Sequence, residues 1–298
     1  MNVQTEKILK YLPYRLSENI GDYLTKYPGV SESVTEIRLH ASAPASITVN
    51  GVNIIDICGV YRCTPDEIHS TLIKLCEDSV HTYENTIKEG YVTLDGGYRI
   101  GVCGSANTVD EKVNGIYNIS SLSIRIPHIV VGCSRGLLPL ILSNGKIRSA
   151  LIYSPPGVGK TTLIRDLALT LSSKKSPLRV SVVDSRREIC IGDAFRDCIV
   201  DVLTSYPKAK AIEIATRTMS PQLIICDEIG TYDEAAAILS AQSGGVPLIA
   251  TAHADCLSAL KRRPNIGLLT DNDVFDICIG LRRDAGGCGF TFDAEELK

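Results

Sequence analysis

The stretch SPPGVGKTT at residues 154–162 constrains this chain more than any other. Ahead of it, SALIY at 149–153 is a short apolar run that predicts a buried strand. Behind it, LIRDLALTL at 163–171 carries apolar residues at helical spacing. Strand, glycine-bearing loop, Lys-Thr and helix together are the context of a phosphate-binding loop. Gly157 and Gly159 have no Cβ, so the backbone there can wrap closely round a polyphosphate. The backbone amides of residues 157–162 can then point inward at the positive end of a helix dipole. The expected nucleotide contacts are Pro156, Gly157, Val158, Gly159, Lys160, Thr161 and Thr162. Lys160 is placed to reach the β- and γ-phosphates of ATP, and the Thr161 hydroxyl to hold Mg²⁺. One position departs from the pattern: Ser154 stands where glycine is usual.

With 298 residues, the chain is long enough for one large domain or two ordinary ones, and needs no covalent staples. Its net charge of −3 argues against binding polyanions by bulk electrostatics. No apolar run approaches a membrane span, and MNVQTEK at the start lacks a signal-peptide core, so a cytoplasmic protein is expected. The eleven cysteines are scattered with no Cys-x-x-Cys, and reduced thiols are the expectation. Cys58, Cys63, His69 and Cys76 match no common zinc spacing.

The first part of the chain predicts an α+β domain with mostly antiparallel pairing. Two short helices are expected before residue 30, interrupted by Pro13. Residues 34–40, 45–51, 52–57, 90–94, 98–103 and 121–126 read as strands, with Asp95-Gly-Gly97 as a hairpin turn. Thr64, Pro65 and Glu67 mark the start of a helix running to about residue 79. Residues 127–146 read as a linker with a helix at 137–142, stopped by Asn144-Gly145.

From Arg148 onward, strands and helices alternate, which predicts a parallel sheet. Strands are expected at 178–184, 222–228 and 246–253, and helices at 207–219 and 232–243. The strands end on the 154–162 loop, on Asp184, on Asp227-Glu228 and on His253. Ligands bind at the carboxyl ends of such strands, so all four features fall on one edge. The expected domains are therefore 1–130, a linker at 131–147, and 148–298.

This edge has the parts of an ATPase. Lys160 and Thr161 serve the phosphates and Mg²⁺, and Asp227 suits a direct or water-mediated metal role. Glu228 is placed to polarise the attacking water. His253 suits a γ-phosphate sensor, a contact to a neighbouring subunit, or a satisfied strand-end histidine. Asp184 and Glu188 suit water or metal binding, or pairing with Arg186 and Arg187.

The motifs PPGVGKTT, VVDSRRE, MSPQLIICDEIG and TAHA together resemble the secretion-type (type II and type IV traffic) ATPases. Within that superfamily they are most similar to a branch from endospore-forming bacteria. The resemblance implies a RecA-like P-loop NTPase core with a smaller α+β N-terminal domain. By position, Asp184 and Glu188 match the outer carboxylates of the family's Asp box, whose middle aspartate is Ser185 here. Glu228 matches the Walker B glutamate and His253 the His box, while Asp227 stands where secretion ATPases carry glycine. Ser243-Gly244-Gly245 replaces the family's Thr-Gly-His. The resemblance also implies a ring of six copies, driven by Mg-dependent ATP hydrolysis. That ring would work a membrane-embedded channel or platform during spore formation, from the mother-cell cytoplasm and peripheral to the membrane. Arginines would complete the site, with Arg99, Arg125, Arg282 and Arg283 as candidates.

Two other readings compete. Lys208, Lys210, Lys261, Arg262 and Arg263 form local basic clusters, as a RecA-type ATPase on single-stranded nucleic acid would need. The net charge and an aromatic content of 5% leave little for base stacking, so no direct nucleic-acid contact is expected. A nucleotide-binding scaffold without turnover would fit Ser154 and the altered Asp box, but not the intact Lys160, Thr161, Asp227 and Glu228.

Overall fold

The apolar residues of the chain collect into separate cores, and the backbone divides accordingly into two units, Met1–His128 and Ile129–Lys298. The computed structural model describes residues 3–31, 33–55, 60–77, 79–94, 96–143, 145–173, 177–185, 187–241, 244–284 and 289–297. Cys58, Asp95, Asn144, Arg186 and Ser243, named above, lie outside the described residues.

The first unit contains helices α1 (Val3–Leu9), α2 (Tyr14–Lys26), α3 (Pro28–Ser31), α4 (Pro65–Leu75) and α5 (Glu84–Lys88). Its strands are β1 (Val34–His40), β2 (Ser46–Val49), β3 (Val52–Ile54), β4 (Tyr91–Leu94), β5 (Tyr98–Val109) and β6 (Lys112–Arg125). They form one antiparallel sheet in the order β3-β2-β1-β6-β5-β4. Alternation places Ile37, Leu39, Ile100, Val102, Leu122 and Ile124 on the core side. The α4 start forms as its sequence dictates: Glu67 N donates to Thr64 Oγ1 at 3.2 Å, and Thr64 N to Glu67 Oε2 at 2.8 Å. β5 and β6 run well past the strands expected at 98–103 and 121–126. They turn at Asp110 and Glu111, whose φ of 50° and 61° are those of a tight hairpin turn. The outer arms of this hairpin are largely exposed, so no alternation marks them in the sequence.

The second unit begins with α6 (Leu138–Ile141) and a small ribbon of β7 (Leu142–Ser143) and β8 (Lys146–Ile147). Its main strands are β9 (Ala150–Ser154), β10 (Val180–Asp184), β11 (Val200–Thr204), β12 (Leu223–Glu228), β13 (Leu248–His253), β14 (Ile277–Arg283) and β15 (Phe290–Glu296). Its helices are α7 (Lys160–Ser172), α8 (Lys208–Ile214), α9 (Tyr232–Ala241), α10 (Leu257–Lys261) and α11 (Pro264–Thr270). The sheet order is β11-β10-β12-β13-β9-β14-β15, parallel except for β15. Both faces are buried. Ile152, Ile225 and Ile279 join Leu163 and Leu167 of α7 in one core, while Leu151, Cys226 and Cys278 join Ile212, Ile238 and Ile266 in the other. This double burial is why the strands read as continuous apolar runs. The helix expected at 207–219 ends at Ile214 and continues as a π-type turn, Ala215–Met219.

Candidate nucleotide site

Five parallel strands deliver their carboxyl ends to one edge: Ser154 from β9, Asp184 from β10, Glu228 from β12, His253 from β13 and Arg283 from β14. A cleft of about 320 Å³ opens there. Its lining includes Gly157, Gly159, Lys160, Thr161, Thr162, Glu188, Asp227, Glu228, His253 and Arg283. β12 and β13 pair with a register shift between Ile225 and Glu228, which inserts a bulge into β12. Successive side chains of a regular strand face opposite sides, and the bulge lets Asp227 and Glu228 both line the cleft.

The loop enters α7 through Gly159 at φ 127°, a conformation L side chains rarely adopt. A Cβ on Gly159 would also lie 2.7 Å from the Phe290 ring. No side chain caps α7, and no acidic residue sits in its first turn. Its first amides therefore suit an anion. Lys160 is buried and folded back on the loop: Nζ donates to Ser154 O at 2.9 Å, Pro155 O at 3.2 Å and Ser154 Oγ at 3.2 Å. The serine that replaces the usual glycine is thus a partner of the lysine. Nζ also lies 2.7 Å from His253 Nδ1, and His253 Nε2 lies 3.1 Å from Glu228 Oε2. An ammonium can only donate, so Nδ1 accepts, and the ring proton sits on Nε2, within ion-pair distance of the Glu228 carboxylate. Burial lowers the Lys160 pKa, and Glu228 opposes that shift.

Asp227 is hydrogen-bonded on one oxygen and ion-paired on the other, buried Oδ1 having the Lys208 charge beside it without hydrogen-bond geometry. Lys208 Nζ lies 2.7 Å from Oδ1, and Ser185 Oγ donates to Oδ2 at 2.8 Å. Lys208 also pairs with Glu234 Oε1 at 3.3 Å and donates to the Glu228 carbonyl. Burial works against the Lys208 charge, but Cys226, Asp227 and Glu234 carry its pKa above the usual lysine value. Glu234 in turn accepts from Gly230 N at 2.8 Å and Thr231 N at 3.1 Å, fixing the loop after β12.

Asp184 serves the backbone. It is fully buried and accepts N–H bonds from Glu188 at 2.8 Å, Ile189 at 2.8 Å and Cys190 at 3.1 Å. Burial pushes its carboxyl pKa up against those bonds. Arg165 of α7 closes the same loop from the other side, donating to the carbonyls of Glu188 and Ile189. This clamp presents Glu188 to the cleft. The next residue, Asp166, accepts from Gly132 N, Ser134 N and Ser134 Oγ, each at 2.7 Å. Neither residue was singled out from the sequence. The signal was there, because an Arg-Asp pair inside the apolar run 163–171 has to find buried partners.

The loop residues divide. Pro156 and Val158 line a second cavity, of about 500 Å³, with Tyr153, Asp255, Arg282 and Arg283. Gly157 lines both cavities. Among the arginine candidates, Arg283 reaches the cleft, while Arg282 pairs with Asp293 at 3.1 Å. Arg99 and Arg125 belong to the first unit, where they face each other on β5 and β6. Arg99 stacks over Tyr91 at 5.1 Å, and Arg125 lies 3.9 Å from Glu36. Four of the five basic residues that suggested nucleic acid have partners within the chain. Lys208 is buried as described, Lys210 pairs with Glu213 at 3.1 Å, Lys261 with Glu295 at 2.8 Å, and Arg263 donates to His253 O at 2.8 Å.

The family described as sporulation stage III, protein AA, matches residues 3–290 of this chain. The chain belongs to that family. It is 35% identical over 280 residues to stage III sporulation protein AA of Bacillus subtilis, covering 91% of this chain and 90% of that protein. Among solved structures, the Legionella pneumophila ATPase DotB superposes with a TM-score of 0.62 at 15% identity, over 93% of this chain and 80% of that one. The pilus retraction motor PilT with bound ADP also gives 0.62, at 17% identity, over 92% of this chain and 82% of that one. At such identities the likeness is one of fold. This member of the stage III AA family therefore has a RecA-like P-loop core with a smaller α+β N-terminal domain, the fold it shares with DotB and PilT. Among the described residues, no helix is long and apolar enough to cross a membrane.

Proposed function

We propose that this protein hydrolyses ATP with Mg²⁺ and uses the energy to assemble, or move cargo through, a membrane-spanning channel during spore formation. The observation that carries this reading is the chain of contacts Lys160–His253–Glu228 across the cleft. It joins the phosphate-reaching lysine to the carboxylate that would activate water. On binding ATP, Lys160 would leave the loop carbonyls for the β- and γ-phosphates, and the amides at the start of α7 would take the phosphate oxygens. Glu228 would accept a proton from the attacking water, with His253 Nε2–H holding its second oxygen in place. Mg²⁺, when bound, would neutralise charge on the β- and γ-oxygens. Of its two expected residues, Thr161 lines the cleft, and Asp227 lines it with its carboxylate already held by Lys208 and Ser185. The lining fits that ion, since phosphate oxygens and water supply most of its ligands. Among the described residues, no cluster of His, Cys, Asp or Glu would hold a metal unaided.

The domain boundary near residue 130, a homo-hexameric ring, completion of the site by Arg99, Arg125, Arg282 or Arg283, and a place in the mother-cell cytoplasm against the membrane belong to the same proposal. The DotB and PilT folds support it, as does the family's sporulation description. Its test is ATP turnover by the purified protein, absent in Lys160→Ala and in Glu228→Gln. Wild-type turnover that survives in both variants would overturn it.

A further inference from the structure

Asp227 lines the cleft with an ammonium already beside it, one that it shares with Glu234. Lys208 reaches it from the start of α8, and the lysine side chain is 6% exposed against 15% for Asp227. One ammonium there meets the Asp227 carboxylate, the Glu234 carboxylate and the Glu228 carbonyl. Through Ser185 and Glu234, the same cluster reaches the end of β10 and the loop at 230–231. Lys208 is thereby linked to the end of β12, to Ser185 just after β10 and to the loop at 230–231. A buried cation between two carboxylates fixes geometry closely, because moving any member leaves a charge unpaired in a poorly solvated place. A divalent metal competing for Asp227 would meet an ammonium already in position.

We propose that Lys208 is a positioning residue for hydrolysis: it occupies the Asp227 carboxylate, so that Asp227 serves the placement of Glu228 rather than the binding of metal. The inference rests on the ATPase reading of this cleft. It separates the two adjacent carboxylates by role. Glu228 meets the water, while Asp227 and Lys208 hold the bulged strand end that aims it. It also accounts for the serine at 185: its hydroxyl donates to Asp227 Oδ2, where a carboxylate would add a third negative charge beside Glu234.

The test follows Mg²⁺ dependence in two readouts, turnover and the binding of a fluorescent ATP analogue, for wild type, Asp227→Asn, Lys208→Arg and Lys208→Met. Asp227→Asn is the deciding variant, because Lys208 keeps Glu234 as its partner and the fold is retained. The expected result is a kcat at least fivefold below wild type, with the Mg²⁺ half-points for turnover and analogue binding shifted by less than threefold. Lys208→Met, where it folds, should lower the analogue-binding half-point by freeing the carboxylate for metal. Lys208→Arg should retain more of kcat than Lys208→Met. An Asp227→Asn half-point raised more than threefold would make Asp227 a metal residue and overturn the inference, as would a kcat loss smaller than fivefold. A wild-type protein that binds the analogue without turning over ATP would remove the ATPase reading alone. The binding half-points of Asp227→Asn would still decide the role of Lys208.

Discussion

His253 Nε2 stands 3.1 Å from Glu228 Oε2, and the other ring nitrogen of the same histidine stands 2.7 Å from Lys160 Nζ. One imidazole thus bridges the base candidate and the lysine of the glycine-bearing loop. The register that makes this possible is His253 opposite Ser154, where β13 lies beside β9. His253→Ala is expected to lower kcat by about tenfold to a hundredfold, with nucleotide affinity changed far less, since the ring orients Glu228 rather than binding phosphate through this contact. Steady-state turnover and equilibrium binding measured on the same preparation check the split.

Glu228→Gln should bind ATP with near wild-type affinity and lose at least about a hundredfold in kcat. Lys160→Ala should lose nucleotide binding itself. The two variants together separate the cradle from the base. A Glu228→Gln protein hydrolysing at the wild-type rate would remove the base assignment.

Gly159→Ala should abolish nucleotide binding and destabilise the fold by about 1–3 kcal/mol. Two causes act together: the φ of 127°, and the Phe290 ring 2.7 Å from where the new Cβ would sit. Gly157→Ala has only a positive φ, of 77°, to contend with, because no atom lies within 4 Å of its Cβ position. The smaller effect is therefore expected at Gly157. Denaturant unfolding of both variants checks the order.

Asp184→Asn should destabilise the second unit by about 1–3 kcal/mol. The carboxylate takes three backbone N–H bonds, and an amide offers one acceptor oxygen in place of two. Hydrogen exchange should show faster exchange at residues 188–190 than in wild type. Unchanged protection there would contradict the clamp.

The sequence carried the site better than it carried the sheet. The placement of Asp227, Glu228 and His253 at the cleft was legible because each ends a strand buried on both faces, and that of Lys160 and Thr161 because they open the helix that follows the glycine-bearing loop. β11, β14 and β15 were not read as strands. β11 shows Asp201 and Val202 to solvent, so it lacks the apolar run of its neighbours. β14 carries Gly280 at its middle, which reads as a break. The structure uses it to admit the Tyr153 hydroxyl, 2.9 Å from a Cβ built there. Missing β14 left the placement of Arg283 at the cleft without a reason. Lys208 was misplaced for a different cause. Charge alone put it in a local basic cluster, and only the fold turns it inward onto Asp227. Asp184 was read with Glu188 as a water or metal ligand or as a partner of Arg186 and Arg187, since a backbone clamp leaves no pattern in residue types.

Alkaline pH offers a test in the first unit. Burial, and then the hydrogen bond from its hydroxyl to Glu67, push the Tyr61 phenol up to about 12. The folded value is raised, so the contribution is whole below the unfolded value of about 10. It is lost as pH rises through the folded value of about 12. Tyr61→Phe should therefore show a shallower fall in stability across that window than wild type. Parallel slopes in the two proteins would contradict the coupling.

The central claim is that this cleft hydrolyses ATP in a ring of subunits. The most direct measurement is Mg-ATP turnover of the purified protein against its own concentration, with Glu228→Gln as control. Specific activity that climbs with concentration and vanishes in the variant is the predicted result, because a site completed between subunits forms only on assembly. Activity independent of concentration, or equal in the variant, would contradict the claim.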